Sequence, residues 1–401
     1  MRGPGPRCRE SAEVADPRES DYNNLNSVFP SQIGVASQMV DLPIKLKGLI
    51  LSGGQGSRLR PFTYTGAKQL VPIANKPILF YAIENLVECG VHDIGIVVGD
   101  TKEQVMAAVG DGSRFGVSVT YIEQEAPLGI AHAVKIAQGF LGDDPFVLFL
   151  GDNFLREGIV PFVDQFCRQN PRPAGQILLY PVKNPQDFGV AEMRDGRLLR
   201  VVEKPKAPPS NLAVIGIYMF DRTVFEAVNG IKPSARGELE ITDTIQYLVD
   251  HGHDVRCEVA GGCWIDTGKM DDILDANRAI LEGLEPASAG KVDEASRVEG
   301  RVVLQEGCEV VNSVVRGPSI IGERTRIVNS YVGPFTSIYY DCLVQDAEIE
   351  QSVVMENTVI DGVEARIQDS LIGRNVDLRG ADGKPRSCTL VLGDFSRVRI
   401  P

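Results

Sequence analysis

Two patterns of apolar and polar residues divide the chain. From residue 46 to about 285, short apolar runs typical of buried strands alternate with segments whose apolar residues recur at helical spacing. The apolar runs are 48–51, 94–98, 118–122, 146–150, 176–181 and 214–220. The helical patterns are 77–89, 129–139, 158–168, 240–250 and 269–283. This alternation predicts an α/β fold, a Rossmann-like and mostly parallel sheet with helices on both faces.

After about residue 290 the helical spacing disappears and a six-residue beat replaces it. Three motifs share the order apolar, glycine, two residues, small or β-branched, one residue, apolar, and they begin at Ile321, Val332 and Ile372. Such a beat is typical of a hexapeptide β-helix, in which each repeat forms one flat side of a triangular coil. We predict a left-handed hexapeptide-repeat β-helix over 290–401; an ordinary β-sandwich with chance glycines is the alternative.

The first 43 residues follow neither pattern. They are rich in proline, asparagine and charge, and they lack the apolar core of a secretory signal. We predict a disordered N-terminal extension over 1–43, or a start codon assigned too early, since Met39 lies just before the first strand. The α/β domain is then expected over 44–289, ahead of the β-helix.

Composition and charge exclude several classes of function. The 401 residues include 41 Lys and Arg against 54 Asp and Glu, a net charge of −13, which argues against a nucleic-acid or anionic-membrane surface. No apolar run is long enough for a membrane span. The eight cysteines form no C-x-x-C pair, so a zinc knuckle or redox motif is not expected, and a reducing cytoplasm fits best.

The first strand runs directly into a glycine-rich loop, Ser52-Gly53-Gly54-Gln55-Gly56. Glycines let backbone N–H groups approach an anion closely, and Arg58 and Lys68 add positive charge behind them. The loop is neither a P-loop, since no Lys-Ser or Lys-Thr follows Gly56, nor a dinucleotide fingerprint, since Leu59 replaces the third glycine. We expect a polyphosphate site, with a plain strand-to-helix turn as the alternative.

Two distant aspartates follow apolar runs. Asp152 comes after 146–150, and Asp266 lies in Trp264-Ile265-Asp266. If both stood at strand ends of one sheet, their oxygens could share a Mg²⁺ ion, which usually keeps water and phosphate as its other ligands. Alternatively, Asp152 is a turn residue or caps the helix predicted over 158–168, and Asp266 is a turn residue before Gly268.

Three further polar residues stand at the ends of predicted strands. Glu203 and Lys204 end the run from Leu198, and their side chains should point to opposite faces and not pair. Gln124 follows another strand, where its amide could read both donor and acceptor edges of a pyrimidine. From the residues alone, surface charges and a solvated loop glutamine are the simpler interpretation.

Together these segments resemble a known family. The pattern Gly53-Gly54-x-Gly56-x-Arg58-Leu59-x-Pro61, with Lys68 and the motifs at 150–153, 202–205, 236–243 and 264–268, is similar to that of the sugar-1-phosphate nucleotidylyltransferases. The similarity extends over about 46–395 and is greatest to the long-form thymidylyltransferases, which join a nucleotidyltransferase domain, here 44–289, to a β-helix. It implies transfer from dTTP to α-D-glucose 1-phosphate, giving dTDP-glucose and pyrophosphate for deoxysugar synthesis.

The resemblance also implies roles for individual residues. It implies Mg²⁺ on Asp152 and Asp266. The catalytic residues it implies are Arg58, Lys68, Asp152 and Lys204. The substrate-binding residues it implies are Gly53, Gly54 and Gly56 for the triphosphate, Gln124 and Gly129 for the pyrimidine, and Gly189, Glu203, Lys204 and Val214 for the sugar phosphate.

Other functions remain open at this stage. Some hexapeptide β-helices are acyltransferases that use a histidine base, but all four histidines lie before residue 254. A non-catalytic sugar-nucleotide sensor, or an enzyme for another nucleotide such as UTP, are further alternatives. We expect a homo-oligomer, because a β-helix end or face commonly joins subunits. From the composition we also expect a cytoplasmic protein without nucleic-acid or membrane partners.

Overall fold

The computed structural model describes residues 42–54, 56–64, 66–380 and 395–398. The prediction for residues 1–43 therefore falls almost entirely outside the described residues. The strands before the β-helix are β1 (Lys47–Ser52), β2 (Pro72–Ile73), β3 (Lys76–Pro77), β4 (Asp93–Val98), β5 (Ser118–Glu123), β6 (Phe146–Leu150), β7 (Asn153–Leu155), β8 (Gly175–Pro181), β9 (Gly189–Arg194), β10 (Arg197–Glu203), β11 (Leu212–Phe220), β12 (Val255–Val259) and β13 (Trp264–Asp266). The α-helices are α1 (Ile78–Glu88), α2 (Lys102–Val109), α3 (Ile130–Ile136), α4 (Gln138–Leu141), α5 (Val160–Arg168), α6 (Val224–Gly230), α7 (Ile241–Asp250) and α8 (Met270–Leu281).

Nine strands form the main sheet. β1 lies between β4 and β6 and is parallel to both, and β5 extends this parallel half beyond β4. β11 joins β6 antiparallel and connects the parallel half to β8, β9, β10 and β12. The carboxyl ends of β1, β4, β5 and β6 therefore meet at one edge, which is where open α/β sheets bind ligands.

The apolar runs predicted these strands because both faces of the sheet are covered and most of the strand side chains are therefore buried. Leu49 and Ile50 of β1 are both 0% exposed and belong to separate apolar clusters on opposite faces. The predicted helix over 129–139 is divided at Ala137 into α3 and α4. The sequence did not predict α2 and α6, whose seven or eight residues give too short a run for the helical period to stand out.

The C-terminal region is a stack of triangular coils, as the six-residue beat predicted. One face consists of β14 (Ala287–Ser288), β17 (Val302–Leu304), β20 (Ser319–Ile321), β23 (Thr336–Ile338), β26 (Val353–Val354) and β29 (Leu371–Ile372). The second consists of β15 (Lys291–Val292), β18 (Glu309–Val311), β21 (Arg326–Val328), β24 (Leu343–Gln345), β27 (Val359–Asp361) and β30 (Asp377–Arg379). The third consists of β16 (Arg297–Glu299), β19 (Val314–Arg316), β22 (Tyr331–Val332), β25 (Glu348–Glu350) and β28 (Ile367–Gln368).

All neighbouring strands within these three faces are parallel. On the second face Val310, Ile327, Val344 and Ile360 stand directly above one another, and each is at most 1% exposed. Each coil thus places one apolar side chain of this column in the interior, and the stacking buries them continuously.

The β-helix packs against the part of the chain that carries the glycine-rich loop. One apolar cluster, here called the junction cluster, joins residues of the α/β part to the last coils of the β-helix. Its buried members are Leu59, Val71, Ile73, Ile78, Tyr81, Phe154, Ile273, Ala276, Val353 and Leu371. Because Leu59 directly follows Arg58, the β-helix supports the backbone of the loop that leads to the candidate site.

Asn277 of α8 adds polar contacts across this junction. Its Oδ1 accepts hydrogen bonds from the Ala74 backbone N–H at 2.9 Å and from the Ser337 hydroxyl at 2.6 Å, and its Nδ2 donates to the Phe335 carbonyl at 3.1 Å. The residue is 1% exposed, so water cannot replace these partners.

We expect Asn277→Ala to lower the free energy of unfolding by about 2–3 kcal/mol, because it leaves the Ala74 N–H and the Ser337 hydroxyl buried without an acceptor. The measurement is the urea midpoint of the unfolding transition. Asn229→Ala is the control, since Asn229 is exposed and bonds only to a carbonyl of its own helix region. Equal midpoints for the two variants would contradict the junction assignment.

The six cysteines that the structure describes are all free thiols; four are buried and two are partly buried. Within the described ranges, no helix has the length and apolar character needed to cross a membrane.

Candidate active site

The glycine-rich loop follows β1 and folds over Lys68. A methyl group added at Gly54 would lie 3.4 Å from the Lys68 ammonium. Gly56 adopts a left-handed backbone (φ +58°), and a methyl group there would lie 2.8 Å from Cγ2 of Thr63. The Thr63 hydroxyl donates to the Gly56 carbonyl at 2.7 Å. Both conformation and space therefore require glycine at position 56.

Asp152 lies just beyond β6 and faces the same loop. Its carboxylate forms an ion pair with Lys68 and accepts a hydrogen bond from Asn153 Nδ2 at 3.1 Å. Burial alone would raise the pKa of Asp152, but the Lys68 ammonium and these hydrogen bonds hold the pKa below its usual value. The residue is not a helix cap, because α5 begins at Val160 after Ile159.

Asp266 reaches Asp152 by a route that the sequence did not predict. We expected both aspartates at strand ends of one sheet, but β13 pairs only with β7, in a separate two-stranded antiparallel sheet. In that ladder Asp266 stands opposite Asn153. The N–H and hydroxyl of Thr267 both donate to the Asp152 carbonyl, at 3.1 and 2.7 Å. This small sheet fixes the two aspartates relative to each other.

Burial and the charge of Asp152 raise the pKa of Asp266 to about 6, although Lys68 and Arg58 act in the opposite direction. Arg58 lies close to Asp266. A methyl group added at Gly268 would lie 2.7 Å from Nη2 of Arg58 and 3.4 Å from Oδ1 of Asp266, so both side chains border the same small space. The structure thus brings together Arg58, Lys68, Asp152 and Asp266, four residues from distant parts of the sequence.

This cluster fits a divalent cation. The two carboxylates repel each other, as the raised pKa of Asp266 indicates, and a cation between them would relieve that repulsion. Among the described residues there is no group of three or more His, Cys, Asp or Glu side chains that could hold an ion. Two carboxylates, with water and phosphate as the remaining ligands, are enough for a divalent cation that does not need a full set of protein ligands.

Gln124 lies on the other side of the glycine-rich loop, after β5. A methyl group added at Gly53 would lie 3.7 Å from its Oε1. Its Nε2 donates to the Gly129 carbonyl at 3.2 Å and lies 3.0 Å from Nδ1 of His132. A single histidine in a helical pattern carries no signal of its own, so the sequence does not identify His132 as a site residue.

Glu203 and Gly189 stand opposite each other in the β9–β10 ladder. A methyl group added at Gly189 would lie 2.6 Å from Cγ2 of Thr242, 3.2 Å from Oε2 of Glu203 and 4.0 Å from Cβ of Val214. Thr242 donates to Oε2 of Glu203 at 3.2 Å. Burial raises the pKa of Glu203, with Lys204 and Arg236 opposing the shift. These residues form a second, smaller polar group around one glycine.

The expectation that Glu203 and Lys204 would not pair is wrong. The Lys204 ammonium lies 3.6 Å from Oε1 of Glu203. Strand alternation does not apply to Lys204, because β10 ends at Glu203 and Lys204 adopts a left-handed backbone (φ +41°). Its side chain therefore turns back toward its neighbour.

A linking segment, residues 234–240, contacts both Glu203 and the turn that contains Gly129. Nη2 of Arg236 lies 3.6 Å from Oε1 of Glu203 and 2.8 Å from Oε2 of Glu240. Three residues further, the Leu239 N–H donates to the Leu128 carbonyl and the Leu239 carbonyl accepts from the Ala131 N–H, at 2.8 and 3.1 Å. The sequence motif at 236–243 contained these residues, but only the structure shows that Glu240 holds Arg236 beside Glu203.

Comparison with known proteins identifies the family. Residues 47–283, more than half of the chain, match the model of the nucleotidyl transferase family. The chain belongs to the sugar-1-phosphate nucleotidyltransferases. The described β-helix makes it a long-form member, and enzymes of this family generally use a divalent metal.

The chain is similar over most of its length to named nucleotidyltransferases. It is 52% identical to a glucose-1-phosphate thymidylyltransferase of Streptomyces griseus and 51% identical to one of Streptomyces antibioticus, each over 88% of this chain and 99% of the relative. A low-salt glycan biosynthesis nucleotidyltransferase of Haloferax volcanii is 45% identical over 88% of this chain and all of the relative.

A solved structure supports the assignment for the α/β part. The crystal structure of a Bacillus anthracis protein assigned as a glucose-1-phosphate thymidylyltransferase, in complex with sucrose, is 39% identical with a TM-score of 0.55. The match covers 58% of this nucleotidyltransferase and 94% of that chain.

Proposed function

We propose that this nucleotidyltransferase transfers a thymidylyl group from dTTP to α-D-glucose 1-phosphate, giving dTDP-glucose and pyrophosphate for nucleotide-sugar biosynthesis. The observation that carries the proposal is the grouping of Arg58, Lys68, Asp152 and Asp266 beside the glycine-rich loop. The near full-length similarity to two glucose-1-phosphate thymidylyltransferases supports the choice of substrates.

In this proposal the chemistry needs no general base. A sugar phosphate is already an anionic nucleophile at neutral pH, and its oxygen attacks the α-phosphorus of dTTP in line while pyrophosphate leaves. The protein contributes position and positive charge, as in other phosphoryl transfers. Backbone N–H groups of Gly53, Gly54 and Gly56 would bind the triphosphate, and Arg58 would offset the charge that develops on pyrophosphate.

Lys68 has two possible partners in this scheme. In the structure it pairs with Asp152, and with nucleotide present its ammonium would be shared with a phosphate near the reaction centre. Asp152 and Asp266 would hold Mg²⁺, which when bound withdraws electron density from the α-phosphate. A cation bound to Asp152 would also replace the positive charge that Asp152 loses when Lys68 turns to the phosphate.

The second polar group suits the sugar phosphate. Glu203 would accept hydrogen bonds from sugar hydroxyls, Gly189 leaves the space for the ring, and Val214 lines it. Lys204, which is exposed and lies 3.6 Å from Glu203, would bind the attacking phosphate. We further propose a cytoplasmic homo-oligomer, an expectation that the free thiols and the β-helix support.

The test is pyrophosphate release with glucose 1-phosphate and each of dTTP, UTP, CTP, ATP and GTP, with and without Mg²⁺. We expect dTTP to give the highest kcat/KM and turnover to require the metal. Binding of dTTP and glucose 1-phosphate without any pyrophosphate release would overturn the enzyme proposal in favour of a sensor. A preference for another nucleotide would overturn the choice of dTTP.

We expect the KM for glucose 1-phosphate to rise as the pH falls toward 5. Since burial raises the pKa of Glu203, its carboxylate is lost at a higher pH than that of a free glutamate, about 4.3, and the protonated form is a poorer acceptor. Glu203→Gln should raise the KM about tenfold near pH 8. Because glutamine does not titrate, the KM of this variant should then rise less than that of the wild type as the pH falls. Glucose 1-phosphate itself titrates in this range, but this affects the wild type and the variant equally. If the KM depends on pH in the same way for both enzymes, the role of Glu203 is contradicted.

A further inference from the structure

His132 makes a contact that the proposed chemistry does not use. It lies on the first turn of α3, and its Nδ1 is 3.0 Å from Nε2 of Gln124. The same Nε2 donates to the Gly129 carbonyl at 3.2 Å. The amide nitrogen of Gln124 thus has two neighbours, each able to accept one of its two hydrogens.

These neighbours decide which way the amide points. A backbone carbonyl can only accept a hydrogen bond, so Gly129 requires the NH₂ group of Gln124 on its side. With the NH₂ group there, His132 must accept at Nδ1 and carry its proton on Nε2. Burial, and then the charge of Lys135 in the same helix, lower the pKa of His132, which favours the neutral ring that this arrangement needs.

The remaining polar atom of Gln124 is its Oε1, and this atom lies on the side of the glycine-rich loop. A methyl group added at Gly53 would lie 3.7 Å from it. Since both amide hydrogens are engaged, a base beside the loop meets an acceptor and no donor, whereas the sequence led us to expect that Gln124 could both donate and accept. Thymine and uracil present N3–H to such an acceptor, whereas N3 of cytosine is itself an acceptor and would face it with a lone pair.

We propose that His132 is a specificity-determining positioning residue, which together with the Gly129 carbonyl holds the amide of Gln124 so that thymine and uracil, with their N3–H, are preferred over cytosine. This rests on the proposed function, in which Gln124 faces the pyrimidine. His132 does not touch the base in this arrangement; it acts through Gln124.

The test compares His132→Leu with His132→Asn. The two side chains are nearly equal in size, but only asparagine places an acceptor, Oδ1, near the position of Nδ1. For each variant and the wild type, kcat and KM are measured with glucose 1-phosphate and dTTP, dUTP or dCTP. The pair dUTP and dCTP differs only at the N3 and C4 edge, so its ratio of kcat/KM reports base discrimination and is insensitive to general damage.

For His132→Leu we expect the KM for dTTP to rise about fivefold with kcat within about twofold, and the dUTP-to-dCTP ratio to fall about tenfold. His132→Asn should recover most of both losses. The inference is overturned if His132→Leu keeps the wild-type ratio, or if both variants lose it equally, which would indicate packing. Wild-type enzyme that turns over none of the three nucleotides would overturn the proposed function itself, so the two failures are distinguishable.

Discussion

Asp152→Asn is expected to lower kcat by about a hundredfold or more at matched Mg²⁺, because one of the two carboxylates that would hold the proposed cation, and that pairs with Lys68, loses its charge. The substitution preserves the shape of the side chain. It also removes the negative charge that raises the pKa of Asp266, so Asp266 should become easier to ionise. The measurement is steady-state pyrophosphate release across Mg²⁺ concentrations, together with calorimetric titration of Mg²⁺.

Asp272→Asn is the matched control. Asp272 is also an acidic residue near Arg58, but it accepts a hydrogen bond from the Lys269 N–H at the start of α8, a bond that asparagine can keep. The activity of the Asp272→Asn enzyme should stay within about threefold of wild type, since helix caps contribute mainly to stability. Turnover by Asp152→Asn within a few-fold of the wild type would remove Asp152 from the proposed metal site.

Gly129→Ala is expected to reduce kcat/KM by about a hundredfold, because two independent features exclude a side chain there. The residue has φ +101°, and its new methyl group would lie 2.3 Å from the Leu239 carbonyl oxygen and 2.9 Å from the Leu239 nitrogen. These are backbone atoms of the linking segment, so the segment itself must move. The displacement would disturb Gln124 at one end and Arg236 at the other.

Gly139→Ala serves as the control for this substitution. Gly139 lies in α4, its backbone is not left-handed, and no atom lies within 4 Å of an added methyl group. It should be neutral or slightly stabilising, because alanine favours a helix over glycine. Thermal melting of both variants separates a local displacement from unfolding. If a folded Gly129→Ala protein binds dTTP and turns over as the control does, then the linking segment does not position the site.

The sheet could be predicted from the sequence because burial on both faces leaves long apolar runs. The β-helix could be predicted because its repeat appears three times. In contrast, β7 and β13 have three residues each, and no periodicity marks so short a ladder. The sequence therefore does not predict the pairing that places Asp266 beside Asp152, although it does identify both aspartates as candidates.

Local backbone conformation accounts for other differences. Lys204 was assigned the direction of a strand residue, but its left-handed φ cannot be inferred from a residue that normally avoids that region. Arg236 and Glu240 form their ion pair across a non-helical segment, and their proximity to Glu203 depends on how β10 and the linking segment meet. Such contacts between distant segments are set by tertiary packing, not by local sequence.

The junction cluster has a consequence for shorter relatives. Leu59, Ile73 and Ile273 are at most 1% exposed, and they share one apolar cluster with Val353 and Leu371 of the β-helix. A chain cut at about residue 285 would present these side chains to water and would be expected to self-associate. A homologue that consists of the α/β part alone must therefore have polar replacements at these three positions, or bury them against a neighbouring subunit.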